Sequence, residues 1–500
     1  MTRVVMKGDA MPGAFNLAEH VLCRGAETPD KLAFSVIGPT RAERWSYARL
    51  IAAVRGTAAG FLARGLEPGQ RVLIRVGNEP AFPIAYLGAI AAGLVAVPTS
   101  PALTMREATA IAAALHPALV VAGPGVALPE GDWPVLTTVE MAGFADLPPA
   151  PFALGDAERP GYIVFTSGSS GQPRAVVHAH RAILARGMMM QGWYGLGAGD
   201  RLLHVGAFNW TFTLGTGLMD PWTQGATALI PAPGTAIEQI PLLAARHGAS
   251  ILAAAPGVFR RMLRADWRVW DTLRHGLTAG ERLDPALRAD WRARTGTDLH
   301  EAMGMSECST FLSGSPDRPA PEGFAGYPQP GRRVALLDPQ GQAVAPGQAG
   351  LLAVHASDPG LFLGYEGAPE ETAARFMGEW FVTGDLGRAG PDGAIAMLGR
   401  DDDMMNAGGY RLAPGEVEDV LGAVTDAGDV AVTEVAVPSG ARIICAFWTG
   451  AAPRTALEAA AGTALADYKR PRDYVWVEAL PRTNTGKIDR RRLREDNRKG

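Results

Sequence analysis

The sequence predicts an α/β protein with a large N-terminal domain, built from α/β layers, and a small α+β domain at the C-terminus. Short runs of branched apolar residues alternate with alanine-rich helical runs as far as about Leu299. This alternation is typical of βαβ units and mostly parallel sheet. The chain has 500 residues, which is too long for one ordinary core, so two or more domains are expected.

The βαβ pattern is clearest in the first part of the chain. Strands are predicted at Arg71–Val76, Leu94–Val97 and Leu119–Val121, and helices are predicted to begin near Pro80 and Thr104. The segment Val126–Pro160 is rich in Pro, Gly and Asp, which predicts a connecting region. A second α/β series is predicted from Tyr162 onward.

The last third of the chain changes character. Short strands separated by Gly and Pro over Val334–Val382 predict a small, β-barrel-like subdomain. A boundary is predicted at the charged stretch 399–403, between an N-terminal domain of residues 1–399 and a C-terminal domain of residues 400–500. Beyond it, Pro414–Leu421 begins as a helix with acids in its first turn. Val430–Val437 and Arg442–Trp448 alternate like strands.

Composition excludes several classes of protein. Apolar residues make up 47% and charged residues 20% of the chain, as in ordinary globular enzymes, and the net charge of −4 gives no basic field for nucleic acid. The longest apolar stretch, Ile84–Val97, is too short to span a bilayer, and residues 1–9 lack the apolar core of a signal peptide. Cys23, Cys308 and Cys445 lie too far apart for a disulfide framework or a metal motif. A cytoplasmic protein is therefore expected.

A hydroxyl- and glycine-rich segment follows the strand predicted at Tyr162–Phe165. Its members are Thr166, Ser167, Gly168, Ser169, Ser170 and Gly171, followed by Pro173 and Arg174. Backbone N–H groups and hydroxyls in such a turn can hold phosphate oxygens. The common P-loop needs Gly-Lys-Ser/Thr at the end of the loop, so that match fails. A flexible Ser/Gly linker is the alternative interpretation.

A second segment, Pro481–Ile488, places Lys487 next to Gly486 in a predicted tight turn near the end of the chain. A lysine is charged at neutral pH, because its ordinary pKa is about 10.4. Together the two distant segments suggest ATP chemistry that the C-terminal domain completes.

Five segments, taken in order, resemble the adenylate-forming superfamily, which includes acyl-CoA synthetases and the adenylation domains of peptide synthetases. They are residues 162–174, 279–283, 303–307, 380–386 and 399–418, and the pair Gly486-Lys487 follows them. The resemblance covers nearly the whole chain and looks most like medium-chain acyl-CoA and benzoate-CoA ligases. It implies an enzyme that uses ATP, Mg²⁺ and coenzyme A. A carboxylate attacks the α-phosphate of ATP, pyrophosphate leaves, and the acyl group passes to a thiol.

The resemblance implies a set of nucleotide-binding residues. The loop 166–171 and Arg174 hold phosphates, and Arg174-Ala175 stands where relatives usually carry Lys-Gly. Gly280 and Glu281 run along the adenine, and Met303 takes the place of an aromatic residue that stacks on the base. Asp385 accepts from the ribose hydroxyls, and Arg400 belongs to the same nucleotide set. Ser306 and Glu307 match a catalytic Thr-Glu pair, with Glu307 as the Mg²⁺ ligand.

The C-terminal domain carries the remaining roles that the resemblance implies. Lys487 is the catalytic lysine that bridges the attacking carboxylate and the α-phosphate. The domain then rotates about a hinge at Asp402. Gly408, Gly409, Tyr410 and Arg411 match the loop that lines the pantetheine tunnel of coenzyme A.

The acid pocket is predicted to include Trp210, Gly304 and Met305, with Met303 beside them. Acetyl-CoA synthetases have a tryptophan at the position of Gly304, so an open pocket floor and acids larger than acetate are expected. Medium-chain fatty acids and aryl acids both remain open. Two other functions remain as alternatives: a stand-alone ligase that loads a carrier protein, and a non-catalytic nucleotide-binding relative. The sequence leaves the oligomeric state open between monomer and homodimer.

Overall fold

The computed structural model describes residues 13–166, 174–401, 405–407, 410–412, 414–437, 442–482 and 488–497. The chain forms two compact units. Unit 1 consists of Met1–Arg333 with Ala356–Ala374, and unit 2 consists of Val334–His355 with Arg375–Gly500. The boundary predicted between residues 399 and 400 separates two domains that are expected to rotate relative to each other. The division into compact units does not show where such a rotation takes place, so this boundary stays a prediction.

The helices of the described chain are mostly short, and several begin at a capping side chain or a proline that is visible in the sequence. Thr104 and Glu107 form a reciprocal capping box at the start of α4, and Pro80 directly precedes α3. Both predicted helix starts are therefore confirmed. In chain order the helices are α1 (Leu17–Glu27), α2 (Tyr47–Ala63), α3 (Ala81–Ala91), α4 (Met105–Leu115), α5 (Thr138–Ala142), α6 (Ala182–Gly187), α7 (Thr211–Leu214), α8 (Asp220–Thr223), α9 (Ile240–Arg246), α10 (Pro256–Arg264), α11 (Pro285–Thr295), α12 (Pro369–Ala373), α13 (Pro414–Gly422), α14 (Arg454–Ala464) and α15 (Arg490–Asp496).

The strands are mostly two to seven residues long. In chain order they are β1 (Leu32–Ile37), β2 (Ala42–Ser46), β3 (Arg71–Arg75), β4 (Val95–Pro98), β5 (Leu119–Ala122), β6 (Val135–Thr137), β7 (Pro160–Thr166), β8 (Arg174–Ala179), β9 (Arg201–Val205), β10 (Thr227–Pro231), β11 (Ile251–Ala254), β12 (His275–Ala279), β13 (Leu299–Met305), β14 (Ser309–Ser313), β15 (Tyr327–Pro328), β16 (Val334–Leu337), β17 (Ala349–His355), β18 (Gly364–Tyr365), β19 (Phe376–Met377), β20 (Trp380–Ala389), β21 (Ile395–Arg400), β22 (Met405–Ala407), β23 (Tyr410–Leu412), β24 (Val430–Ala436), β25 (Arg442–Trp448) and β26 (Asp473–Trp476).

Unit 1 contains two large sheets. The first sheet has the order β15-β14-β13-β12-β11-β9-β10-β1-β2, and the second sheet has the order β18-β8-β7-β4-β3-β5-β6. Neighbours are parallel from β1 to β13 in the first sheet and from β7 to β6 in the second. The predicted mostly parallel sheet is therefore confirmed, with antiparallel strands at the ends. Helices α1, α2 and α3 share one apolar core with residues of both sheets.

The region Val126–Pro160, predicted as a connecting region, has regular structure of its own. It contains strand β6 and helix α5. The sequence does hold a local signal for this helix, because Thr137 and Glu140 form a capping box at its start. The high content of Pro and Gly on either side is the reason why the sequence alone did not predict this helix.

Unit 2 contains the predicted β-rich subdomain and the predicted small α+β region. Strands β16, β17, β20, β19 and β21 form an antiparallel sheet, which continues to Arg400 rather than ending near Val382. Farther along, α13 begins at Pro414 and the strands β24 and β25 are present, as predicted. The two strands pair antiparallel. No helix within the described ranges is long and apolar enough to cross a membrane.

Candidate active site

The turn that joins β13 to β14 carries Ser306 and Glu307, and the second sheet holds it in place. The hydroxyl of Tyr365, on β18, donates to Oε1 of Glu307 at 2.7 Å. Nε2 of His178, on β8, lies 2.7 Å from the carbonyl oxygen of Ser306. Burial lowers the pKa of His178 to about 4, so the ring is neutral and Nε2 donates. Only 6% of Glu307 is exposed, and its own carbonyl accepts from the backbone N–H of Phe362 at 2.7 Å.

Arg174 lies in the same neighbourhood as this turn. Its guanidinium carbon is 5.2 Å from the centre of the Tyr365 ring, and its Nε is 2.8 Å from Oε2 of Glu371. Tyr365 therefore contacts both the cation predicted to hold phosphate and the carboxylate predicted to hold the metal. In this structure Arg174 is paired with the carboxylate of Glu371. A phosphate oxygen would offer Arg174 the same kind of anionic partner.

The two ends of the predicted phosphate loop, Thr166 and Arg174, lie within the described residues. Thr166 and Arg174 are paired across the β7–β8 hairpin. Ser167, Gly168, Ser169, Ser170 and Gly171 lie outside the described residues, so their phosphate-binding role stays a prediction.

The segment predicted to run along the adenine follows β12. Gly280 has φ = +96°, and a Cβ there would lie 2.8 Å from Cζ2 of Trp210. Only glycine adopts that backbone conformation so close to an aromatic ring without strain. Downstream, the N–H of Leu283 donates to Oε1 of Glu301 at 3.0 Å. Burial raises the pKa of Glu301 to about 7.

The residues predicted to form the acid pocket lie at the carboxyl ends of strands in the first sheet. Trp210 packs on a buried cluster that includes Phe212, Ala279 and Ala302. Met303 and Met305 are half-buried on β13. The structure brings these side chains to one edge of the sheet, as parallel strands do, and their role in acid binding stays a prediction.

The expectation of an open pocket floor at Gly304 stays a prediction, and the structure shows little room for a side chain at this position. A Cβ at this position would lie 2.6 Å from both the carbonyl oxygen of Ser309 and the Cα of Thr310. Strand β14 fills this space because the β13–β14 pairing has an irregularity between Met303 and Gly304. A tryptophan at position 304 would first displace the hairpin, so this substitution does not test substrate length alone.

Asp385 and Arg400 are neighbours in unit 2. They are paired on β20 and β21, with Nη1 of Arg400 3.5 Å from Oδ1 of Asp385. Arg400 also donates to the carbonyl of Thr383 at 3.2 Å. Gly384 has φ = +83°, and a Cβ there would lie 2.9 Å from the Arg400 guanidinium. Glycine thus allows the two predicted nucleotide residues to approach each other.

Several predicted residues of the C-terminal region cannot be placed. Asp402, Gly408, Gly409 and Lys487 lie outside the described residues. Tyr410 and Arg411 belong to β23, which forms a hairpin with β22. Their predicted contact with coenzyme A is not tested.

Sequence reasoning missed the residues that hold the site together. Tyr365 is 58 residues from Glu307 in the chain, and His178 is 128 residues from Ser306. A tyrosine after a glycine and a histidine in an apolar strand give no local signal of such contacts. Only the pairing of β18 with β8 brings them to the turn.

The oxygen ligands of the turn fit Mg²⁺. Mg²⁺ is commonly held by one or two carboxylates together with phosphate oxygens and water. Within the described parts of the chain, no group of three His, Cys, Asp or Glu side chains is arranged to hold a metal by itself. Glu307, with Ser306 beside it, supplies a single carboxylate of the kind that Mg²⁺-nucleotide sites use.

Comparison with known proteins identifies the class. A family model described as AMP-binding enzyme matches residues 23–366, and the model of the AMP-binding enzyme C-terminal domain matches residues 416–487. The chain therefore belongs to the AMP-binding enzymes, and the resemblance to the adenylate-forming superfamily is confirmed.

Particular relatives narrow the class. The 3-hydroxybenzoate–CoA/4-hydroxybenzoate–CoA ligase of Thauera aromatica is 29% identical over 485 residues, covering 90% of this chain and 91% of the relative. The mitochondrial acyl-coenzyme A synthetase ACSM2A of Homo sapiens is 28% identical over 535 residues, covering 97% and 91%. A solved structure of a benzoate CoA ligase from Burkholderia xenovorans LB400 superposes with a TM-score of 0.84 at 26% identity, covering 96% and 100%. The predicted fold class is confirmed.

Replacing Tyr365 by phenylalanine removes the donor to Glu307 and keeps the ring beside Arg174. A hydrogen bond to a charged group is worth about 1.5–3 kcal/mol, so acid-dependent ATP–pyrophosphate exchange should slow about ten- to hundredfold. The Mg²⁺ concentration for half-maximal exchange should rise. Tyr47→Phe is the matched control, because its hydroxyl donates to the carbonyl of Ala226, and this variant should keep the wild-type Mg²⁺ dependence. An unchanged Mg²⁺ dependence in Tyr365→Phe would show that Tyr365 does not position the carboxylate.

Replacing Arg174 by glutamine should raise the KM for ATP about tenfold, the effect of ~1.4 kcal/mol, because a cation at the phosphate loop is lost. Arg174→Lys should keep most of the affinity. Arg71→Gln is the control, because Arg71 pairs with Glu366 in the same unit. Equal KM values for ATP in Arg174→Gln and Arg71→Gln would contradict a phosphate role for Arg174.

Proposed function

We propose that this protein is an ATP-dependent carboxylic acid:CoA ligase that forms AMP and works through an acyl-adenylate. The observation that carries the proposal is the buried turn of Ser306 and Glu307, held by Tyr365 next to Arg174. Both named relatives form coenzyme A thioesters by their printed names. The prediction of an acid–thiol ligase is confirmed at this level, and neither alternative function is favoured.

The first step joins two anions, so neutralising and positioning charge is the main task of the site. Arg174 supplies a cation on the phosphate side. Glu307 holds Mg²⁺, which neutralises phosphate charge when bound. Asp385 accepts from the ribose hydroxyls, and Lys487 bridges the carboxylate and the α-phosphate. Each of these roles is part of the proposal.

The second step transfers the acyl group from the adenylate to the thiol of coenzyme A. In the proposal the region beyond Asp402 rotates, so that Gly408, Gly409, Tyr410 and Arg411 face the thiol arm. Glycine lets backbone approach a thin ligand closely. The use of ATP and coenzyme A follows from the family.

The acid in the proposal is larger than acetate. An aryl acid of benzoate size is the first candidate, because the relative from Thauera aromatica acts on hydroxybenzoates by its printed name. The aromatic side chains of Trp210 and Phe212 support this choice. Their rings meet edge to face with centroids 5.1 Å apart, and aromatic side chains pack well against the flat ring of an aryl acid. A medium-chain fatty acid is the second candidate. We place the enzyme in the cytoplasm, which suits three cysteines that carry no disulfide.

The test is acid-dependent release of AMP and pyrophosphate in the presence of ATP, Mg²⁺ and coenzyme A, measured over straight-chain and aryl acids. Pyrophosphate exchange with any acid, followed by a coenzyme A thioester, supports the proposal. Exchange without thioester formation would favour a carrier protein as the acceptor. No exchange with any acid would leave a nucleotide-binding relative as the better description.

Lys487→Ala should abolish adenylate formation and spare thioester formation from supplied acyl-adenylate, because the lysine is needed only while charge builds at the α-phosphate. Losing a charged contact at developing charge costs ~10²–10³ in rate. The two half-reactions are measured separately, by pyrophosphate exchange and by conversion of synthetic acyl-adenylate. Asp402→Pro is the reciprocal control, since proline fixes φ and a hinge must change it, so thioester formation should fail first. Equal losses in both half-reactions of Lys487→Ala would contradict the two-conformation mechanism.

A further inference from the structure

Two buried polar side chains near the predicted acid pocket have no hydrogen-bond partner. His204 lies on β9 and Thr213 on α7, and both are 0% exposed. Within the described chain, the two ring nitrogens of His204 and the hydroxyl of Thr213 have no hydrogen-bond partner. Most buried polar atoms in proteins are paired, and each exception calls for an explanation such as a ligand or a bound water.

The two side chains point to the same place. A Cβ at Gly206 would overlap the Thr213 hydroxyl and would lie 3.3 Å from Nδ1 of His204. The ring of His204 also meets the ring of Phe212 edge to face at 4.4 Å. Gly206 thus leaves room for two polar atoms to converge just before the loop that carries Trp210.

His204 also lies on the pocket side of the first sheet. It is paired with Ala253 of β11, which is paired in turn with Leu277 of β12. Ala253 and Leu277 belong to the cluster on which Trp210 packs, and paired residues of adjacent strands share a face of the sheet. This cluster consists of apolar and aromatic side chains and includes several small alanines. His204 and Thr213 are therefore polar groups in an apolar region.

His204 acts here without charge. Burial lowers its pKa to about 3, so at neutral pH the ring offers one N–H donor and one acceptor. Thr213 adds a hydroxyl that both donates and accepts. A neutral pair of this kind suits a neutral hydroxyl or amine and does not compensate a second carboxylate.

We propose that His204 and Thr213 form the polar end of the acid pocket and select acids whose ring or chain carries a neutral hydrogen-bonding substituent, such as a hydroxyl. This inference rests on the proposed function, since it concerns the acid that the ligase activates. A site built to hydrogen-bond a substrate hydroxyl strongly rejects the analogue that lacks it, because its own polar groups then stay unpaired.

The experiment compares pairs of acids that differ only in that group. The kcat/KM values of 3- and 4-hydroxybenzoate are measured against those of 3- and 4-methylbenzoate, which have nearly the same size. Wild-type protein should prefer at least one hydroxylated acid over its methyl analogue by about tenfold or more. Thr213→Val keeps the shape and removes the hydroxyl, so it should lower that ratio about tenfold, and Thr213→Ser should restore it.

The chain offers a matched control in Thr278. Its hydroxyl is also buried and unpaired within the described chain. It follows Leu277 on β12, and since successive residues of a strand face opposite ways, it lies on the other face of the sheet. Thr278→Val should leave the hydroxyl-to-methyl ratio at its wild-type value. Thermal melting of all variants shows whether each one folds.

The outcomes separate the inference from the proposed function. Turnover of methyl and hydroxyl acids without a preference, or a Thr213→Val variant that changes both alike, would overturn the inference and leave the ligase in place. If His204 and Thr213 held only a buried water, Thr213→Val would leave the hydroxyl-to-methyl ratio of kcat/KM at its wild-type value. The variant would then differ from wild type chiefly in its melting temperature. Failure of every acid to support AMP release would overturn the proposed function and this inference with it.

Discussion

The position of one buried carboxylate depends on contacts between two sheets. Glu307 lies in a turn of the first sheet, and its hydrogen-bond partners Tyr365 and His178 lie on β18 and β8 of the second. Asn78 makes a similar link farther along: its side chain donates to the carbonyl of Gly206 at 2.7 Å and accepts from the N–H of Phe208 at 2.9 Å. The packing of the sheets therefore sets both the carboxylate turn and the loop before Trp210.

Side chains of helices α6 and α8 also hold the start of β14, directly after the turn. Ser309 has φ = +64°, a conformation that costs a non-glycine residue about 1–3 kcal/mol. Its hydroxyl accepts from Arg186, whose guanidinium makes two short hydrogen bonds to the buried carboxylate of Asp220. Removing one partner of such a buried pair would leave the other charge uncompensated. The backbone strain at Ser309 is thus supported by a network that tolerates little change.

The sequence predicted what its local patterns carry, and the contacts between distant segments lay beyond it. Helix starts at Pro80, Thr104 and Pro414 follow from capping residues and proline, and the parallel sheets follow from the alternation of strands and helices. The site motifs are contiguous segments, so their residues could be named. Tyr365 could not, because its contact with Glu307 depends on how β18 pairs with β8. The lack of room for a side chain at Gly304 was also not predicted, because it depends on the irregular pairing of β13 with β14.

One departure from the pattern that the family resemblance implies lies at Arg174. Arg174 stands where the resemblance implies a lysine, and the structure gives it a half-exposed partner, Glu371, and the face of Tyr365. A guanidinium is planar and stacks on an aromatic ring better than an ammonium does, so the arginine suits this location. Burying Glu307 in a strained turn costs free energy unless the carboxylate is well paired. Natural proteins keep such costs chiefly where activity needs them, and strain of this kind clusters at active sites. The buried carboxylate and the strained turn therefore mark a functional site, as the proposed Mg²⁺–nucleotide role of Glu307 requires.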